Sequence, residues 1–265
     1  MEKKIGFIGC GNMGGALIRA ASKSVNPAWI HITDLMSSKA EKIKEETGAC
    51  ISDLHSVAAE CNYIFIGVKP QGLADMLQSI RSVLNARSDR FVLVSMVAGT
   101  SISRIRELAG NFPVIRIMPN LPVSVGAGTV LYCSEDVMEE ELNFFTQFMS
   151  RAGILCPLKE SLIDAGSAVS GCSPAFAFMF IEALADGGVL CGLSRKDAQL
   201  FAAQTLLGSA KLLLESGSHP GELKDAVCSP GGTTIAGVMA LEKGAFRAAA
   251  SDAVISAYKK TLDLK

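Results

Sequence analysis

At 265 residues, 49% of them hydrophobic and 25 of them glycine, the chain can bury a sizeable core, as one large domain or two ordinary ones. Its 25 Lys and Arg nearly cancel 26 Asp and Glu, and a formal charge of −1 offers no field to nucleic acid or anionic lipid. One Trp leaves no basic-aromatic run for stacking bases, so a nucleic-acid partner is not expected.

The chain is organised around its beginning. Ile5-Gly6-Phe7-Ile8 suits a buried strand and runs straight into Gly9-x-Gly11-x-x-Gly14, after which Met13, Ala16, Leu17, Ala20 and Ala21 recur at helix spacing. Strand, glycine turn and helix in that order make a dinucleotide site. Gly9 allows the tight turn, Gly11 lets a pyrophosphate approach the backbone, and Gly14 lets the helix sit close on the strand. The helix N-terminus adds unpaired N–H groups and a positive dipole end for the phosphates. Met1-Glu2-Lys3-Lys4 leads directly into this strand, which argues against a signal peptide.

Ile30-His31-Ile32-Thr33 reads as the second strand and ends at Asp34, 20 residues beyond Gly14. An acid there hydrogen-bonds the adenosine ribose 2′-OH, unless it is simply a turn residue. Ser37, Ser38 and Lys39 could instead hold a 2′-phosphate, so NADH and NADPH both stay open, with Asp34 favouring NADH. A charged amphipathic helix is expected over 38–47, and Ser52 is expected to cap a short one. Tyr63-Ile64-Phe65-Ile66-Gly67-Val68 and Phe91-Val92-Leu93-Val94-Ser95 are continuous apolar runs, as parallel strands covered on both faces require. Their tails, Lys69-Pro70-Gln71 and Val97-Ala98-Gly99, fall at the carboxyl edge, where ligands bind in open α/β folds. Lys69 reads equally as a cofactor contact and as a solvated loop lysine. Val114-Ile115-Arg116-Ile117-Met118, Thr129 to Cys133 and Ile154 to Leu158 complete the sheet around a helix near 139–149.

Beyond a boundary set near Lys159-Glu160 the character turns helical. The expected division is 1–159 for dinucleotide binding and 160–265 for a helical domain. Ser173-Pro174 opens a helix through Ala185 that Gly187-Gly188 weakens. Ser194-x-x-Asp197 resembles a capping box and begins a long helix stopping at Gly217. Pro220 starts another, with His219 as its entry residue, and helices resume at Ile235 and run past Gly244 to the end. The longest apolar run, Pro174 to Ile181, is too short to span a bilayer, so no membrane is expected. The helices carry more apolar surface than one small domain covers, which predicts a homodimer or larger assembly.

The loop Cys228-Ser229-Pro230-Gly231-Gly232-Thr233-Thr234 is unusual. It is either an ordinary linker or a nest for a small carboxylate, with exposed glycine amides, three hydroxyls and the positive end of the next helix. Cys10, Cys50, Cys61, Cys133, Cys156, Cys172, Cys191 and Cys228 are scattered, without C-x-x-C pairs or a nearby His at ligand spacing. Neither a disulfide framework nor a metal site is expected, and a reducing cytoplasm is.

Several blocks carry a resemblance that covers essentially the whole chain. They are Gly9-Cys10-Gly11-Asn12-Met13-Gly14, Val68-Lys69-Pro70, Leu162-Ile163-Asp164-Ala165, Ser170-Gly171-Cys172-Ser173-Pro174-Ala175, Ala203-Gln204-Thr205 and Asp225 to Thr234. In these the chain resembles the pyrroline-5-carboxylate reductase family, the last block being the most specific. The resemblance implies an α/β N-terminal Rossmann domain followed by an all-α dimerisation domain. It implies hydride transfer from NADPH or NADH to the cyclic imine of 1-pyrroline-5-carboxylate, giving L-proline as the last step of proline biosynthesis. The active site would form where one subunit's cofactor meets the partner's helices, and rings of dimers are common.

Carried over residue by residue, Ile8, Gly9, Cys10, Gly11, Asn12 and Met13, with Gly67, Val68, Lys69 and Pro70, match the dinucleotide contacts. Val97 and Ala98 match the nicotinamide-side loop. Thr233 and Thr234 match the substrate loop, and Glu160 aligns with a carboxylate near the substrate. The expected anchor for the substrate carboxylate is Ser229, the Gly231 and Gly232 amides and Thr233, with Thr234 hydrogen-bonding the ring nitrogen as the catalytic group. Ala226 departs from an Asn that touches the cofactor in some members, so that contact is not expected here; Cys172 replaces a common Gly. A β-hydroxyacid dehydrogenase would need a catalytic lysine, and 167–181 contains none. A nucleotide-sensing module would leave the Ser229–Thr234 loop unexplained.

Overall fold

Alternation along the strands builds two cores, one on each face of a sheet. The computed structural model describes residues 3–263. Strands β1 (Ile5–Ile8), β2 (Ile30–Thr33), β3 (Cys50–Ile51), β4 (Tyr63–Ile66), β5 (Val92–Ser95), β6 (Val114–Pro119), β7 (Gly128–Glu135) and β8 (Gly153–Pro157) form one sheet in the order 3-2-1-4-5-6-7-8. Neighbours are parallel except β6 and β7, which run antiparallel. On one face Phe7, Tyr63, Phe65, Val94, Ile115 and Ile117 are buried, and Phe7 stacks on Phe65 with ring centroids 4.2 Å apart. On the other face lie Ile8, Ile64, Ile66, Leu93 and Val114. Residues of opposite parity in each strand go to opposite faces, which is why the strands read as unbroken apolar runs.

Helices α1 (Asn12–Ser22), α2 (Ser37–Thr47), α3 (Leu54–Glu60), α4 (Pro70–Ala86), α5 (Ile102–Ala109), α6 (Glu139–Phe148) and α7 (Glu160–Ser170) cover these faces. Their ends follow local chemistry. Asp53, and not Ser52, caps α3: its carboxylate accepts the Ser56 amide at 2.9 Å, while Ser52 Oγ shares a 2.9 Å hydrogen bond with His31 Nδ1. Lys69-Pro70 is a helix entry with Pro at the first helical position, and α4 runs for 17 residues behind it.

The second unit comprises α8 (Ser173–Leu190), α9 (Arg195–Ser216), α10 (Pro220–Ala226), α11 (Thr233–Lys243) and most of α12 (Phe246–Leu262). By packing, the units are residues 172–257 and the remainder, which takes in the last turns of α12 from Tyr258. Placing α7 by its packing sets it against β7: Ile163 is buried among the sheet's side chains, and a β-carbon on Gly166 would stand 2.6 Å from Leu131 Cδ1. In α8, Gly187-Gly188 does not end the helix, which continues to Leu190. A β-carbon on Gly188 would meet Ala198 of α9 at 3.2 Å, so this glycine permits helix contact where a weakened helix end is expected. Ser194 caps α9, its Oγ accepting the Asp197 amide at 3.1 Å, and Gly217 ends it with φ of 64°.

Within this unit Phe178, Met179, Leu200, Phe201, Leu207 and Leu214 are all more than half exposed. The helical stretch Glu160–Leu190 exceeds the apolar run read from sequence; its 31 residues are long and apolar enough to cross a membrane by length and composition alone. It also carries Glu160, Asp164, Glu182 and Asp186.

Candidate functional site

The glycine fingerprint acts as a set of close approaches. Gly9 has φ of 109°, and a β-carbon on it would stand 2.6 Å from the Gly67 carbonyl oxygen. A β-carbon on Gly14 would stand 2.1 Å from the Gly9 carbonyl oxygen. Gly11 differs: nothing lies within 4 Å of where its β-carbon would be. Two glycines therefore close the turn and the third leaves open space above it. Gly11 is also the N-cap of α1 and has no side chain to satisfy the first-turn amides, which remain available to an anion.

This turn lies where the sheet's order reverses, because β1 pairs with β2 on one side and β4 on the other. Gly67 after β4 donates its amide to the Ile8 carbonyl at 2.8 Å, so the β4 tail packs directly on the glycine turn. Val68 is half-buried beside it, while Lys69 and Pro70 are exposed. Asn12 is exposed, Met13 half-buried, Val97 buried and Ala98 exposed. Ile8, Gly9, Cys10, Gly67, Val97 and Ala98 thus share the carboxyl edge of the central strands.

Asp34 ends β2 and is drawn into the same edge. Its Oδ2 accepts the Cys10 amide at 2.7 Å and its Oδ1 the Met36 amide at 2.8 Å, so the carboxylate latches the glycine loop to the start of α2. Sequence reasoning assigned it the ribose and missed the latch. A carboxylate has acceptor capacity beyond two amides, so the two roles are compatible. Burial first, and the Asp34 charge second, push the Cys10 thiol up to about 12.

In the second unit the loop before α11 has a defined turn. Pro230 and Gly231 are its central residues, Gly231 has φ of 68°, and the Gly232 amide donates to the Ser229 carbonyl at 3.0 Å. Gly232 is constrained too, since a β-carbon there would stand 2.4 Å from Ser229 Oγ. Helix α11 begins at Thr233, two residues earlier than expected, which puts Thr233 and Thr234 in its first turn. Its N-cap, Gly232, supplies no side-chain cap. Ser229, Gly231, Thr233 and Thr234 are exposed. Exposed hydroxyls around uncapped helix amides suit a small anion.

Glu160 is placed on the first unit, at the start of α7. Its Oε1 accepts the Ile102 amide at 2.7 Å and a longer bond from Arg116 Nη1 at 3.3 Å. Arg116 Nη2 also meets Asp164 Oδ1 at 3.1 Å. Arg116 and Asp164 were not singled out from sequence. The available signal was a lone charge inside an apolar strand run, with two acids four residues apart later in the chain.

Two family models match. Residues 160–264 match pyrroline-5-carboxylate reductase dimerisation, and residues 4–99 match NADP oxidoreductase coenzyme F420-dependent. A pyrroline-5-carboxylate reductase of Escherichia coli is 42% identical over 271 residues, covering 98% of both chains. The chain belongs to the pyrroline-5-carboxylate reductase family. Two solved members agree in fold. The Plasmodium falciparum pyrroline carboxylate reductase with NADP bound has 31% identity and a TM-score of 0.86, covering 98% of each chain. The Coxiella burnetii pyrroline-5-carboxylate reductase has 27% identity and a TM-score of 0.92, covering 100% of this chain and 99% of its own. Membership explains both halves at once: a Rossmann-like sheet carries the glycine turn, and a dimerisation domain carries the exposed apolar helices.

Proposed function

We propose that this chain reduces the C=N bond of 1-pyrroline-5-carboxylate to L-proline with NADPH or NADH. The observation that carries this reading is the 42% identity to a pyrroline-5-carboxylate reductase along nearly the whole chain. The bound nicotinamide cofactor would supply the hydride. Open space over Gly11, the uncapped amides of α1 and the Gly9–Gly67 contact fit a pyrophosphate there. We assign the dinucleotide to Ile8, Gly9, Cys10, Gly11, Asn12, Met13 and Gly14, with Gly67, Val68, Lys69 and Pro70 along one side. Val97 and Ala98 take the nicotinamide end, and Asp34 the adenosine ribose.

For the substrate, Ser229, the amides of Gly231 and Gly232 and the Thr233 hydroxyl anchor the carboxylate, and Thr234 hydrogen-bonds the ring nitrogen. A threonine hydroxyl is too weak an acid to protonate an amine alone. Its role is to orient the iminium or relay a proton from water. The match to a dimerisation family and the exposed apolar faces of α8 and α9 support self-association. A dimer, and rings built of dimers, are the proposed assemblies, and light scattering that found an active monomer would remove them. Eight free thiols suit a reducing, cytoplasmic setting. An absorbance assay with 1-pyrroline-5-carboxylate and each reduced cofactor in turn tests the activity. Consumption of the cofactor with formation of L-proline supports it, and no consumption with either cofactor contradicts it.

A further inference from the structure

Strand β6 and the residue that follows it grip α7 at both ends. Arg116, with 3% of its side chain exposed, reaches Glu160 and Asp164, which lie four residues apart on one face of α7. Asn120, four residues along the chain from Arg116, holds the helix's other end. Its Nδ2 donates to the Ser170 carbonyl at 2.9 Å, while its Oδ1 accepts the Thr129 amide of β7 at 2.8 Å.

The grip has an outlet. Glu160 Oε1 takes the first amide of α5, five residues after Val97. At the start of α5 the cap Ser101 accepts the Arg104 amide, while the Ile102 amide is taken by a carboxylate from another element. The intervening segment includes Gly99 at φ of 70° and a long 3.5 Å contact from Thr100 Oγ1 to the Ala98 carbonyl. Glu160 is thus an external fastening of the loop that carries Val97 and Ala98. Arg116 holds that fastening through Nη1 and anchors itself on Asp164 through Nη2, while its buried Nε has no hydrogen-bond partner.

We propose that Arg116 is a positioning residue for hydride transfer: it fixes Glu160, whose carboxylate caps α5 and thereby holds the Val97–Ala98 loop in form. The proposal rests on the reading of that loop as the nicotinamide side. In it Glu160 acts as a hydrogen-bond acceptor for the protein's own backbone, and the cap, more than the charge, is what the reaction needs.

The test uses the full-length enzyme with Glu160→Ala, Glu160→Gln, Arg116→Lys and the double variant Arg116→Lys/Glu160→Ala. The Glu160 side chain is 34% exposed, so its replacement leaves no cavity in the core. Glu160→Ala and Arg116→Lys should each lower kcat about tenfold, the scale of one lost hydrogen bond to a charged group, with the cofactor KM little changed. Glu160→Gln keeps an acceptor oxygen and should recover most of that loss. The double variant should be no worse than Glu160→Ala, because Arg116 acts through Glu160. Amide hydrogen exchange across residues 96–105 reads the same claim without turnover: faster in Glu160→Ala and Arg116→Lys, native-like in Glu160→Gln. A Gln variant as impaired as Ala, an additive double variant, or exchange unchanged in Glu160→Ala would each overturn the proposal. If the wild type were inactive on the imine, the functional reading would fail, and the exchange data would still decide the positioning claim.

Discussion

Gly14 lies so close to Gly9 that a β-carbon on Gly14 would stand 2.1 Å from the Gly9 carbonyl oxygen. The obstacle is backbone at a turn pinned on both sides, by Gly9 N to the Thr33 carbonyl and by Gly67 N to the Ile8 carbonyl, each at 2.8 Å. No side-chain rotation can relieve such a contact. Gly14→Ala should therefore displace α1 from the turn, cost about 1–3 kcal/mol as overpacking does, and weaken cofactor binding. Gly11→Ala meets no protein atom within 4 Å and should retain stability while losing cofactor affinity. Thermal melts with and without NADPH separate the two. Equal loss of stability in both would show that Gly11 is also a packing glycine.

The Asp34 carboxylate stands at the end of β2 and accepts two backbone amides. A carboxylate repels a 2′-phosphate, so NADH should be used at least comparably to NADPH, and Asp34→Ser should shift the kcat/KM ratio towards NADPH. A shift of about tenfold corresponds to roughly 1.4 kcal/mol. The substitution also removes the latch to Cys10, so both cofactors should bind more weakly in absolute terms. A strong wild-type preference for NADPH with an unchanged ratio in the variant would leave Asp34 only the latch.

Burial and the neighbouring Asp34 push the Cys10 thiol up to about 12, and burial pushes Cys61 to about 12 as well. Both pKa values lie above working pH, so the thiols stay neutral, and the neutral thiol is a poor nucleophile. Alkylation at pH 8 followed by peptide mapping should leave Cys10 and Cys61 unmodified in the folded protein. Modification should become appreciable only as pH rises towards 12 or as the fold opens. Fast labelling of Cys10 in the native protein would show that the loop is looser than its hydrogen bonds imply.

Thr233 and Thr234 occupy the first turn of α11 and differ in assigned role. Thr234→Ala should lower kcat roughly ten- to a hundredfold, the scale of 1–3 kcal/mol for one hydrogen bond in the transition state, with NAD(P)H binding normal. Thr233→Ala should act mainly on the KM for the imine. Steady-state kinetics at saturating cofactor distinguish them, and a Thr234→Ala enzyme with wild-type kcat would sink the assignment.

The glycine turn was legible because its demands are local. A positive φ at Gly9 and a blocked β-carbon at Gly14 are fixed by residues within about one strand and one helix turn of each other. The apolar runs of β1, β4, β5 and β6 were legible for the same reason. Strand β3 was not, since two residues carry no periodicity. The helix behind Pro70 is masked in the sequence because Lys69-Pro70-Gln71 reads as a loop tail at the carboxyl edge. The start of α11 at Thr233 falls two residues before the expected Ile235 because hydroxyl residues read as loop, although they are favoured at helix entries. Gly188 reads as weakening the end of its helix until Ala198, ten residues later, is seen against it. The Arg116–Glu160–Asp164 network was hidden by sequence distance: 44 and 48 residues separate its partners.

The central claim is that hydride passes directly from the nicotinamide to the imine carbon. It is tested most directly with reduced cofactor deuterated at the transferring C4 position and 1-pyrroline-5-carboxylate in ordinary water. Mass spectrometry of the proline formed should find one deuterium at the ring carbon that was doubly bonded to nitrogen. Unlabelled proline from fully labelled cofactor, with the new C–H bond drawn from solvent, would contradict the account.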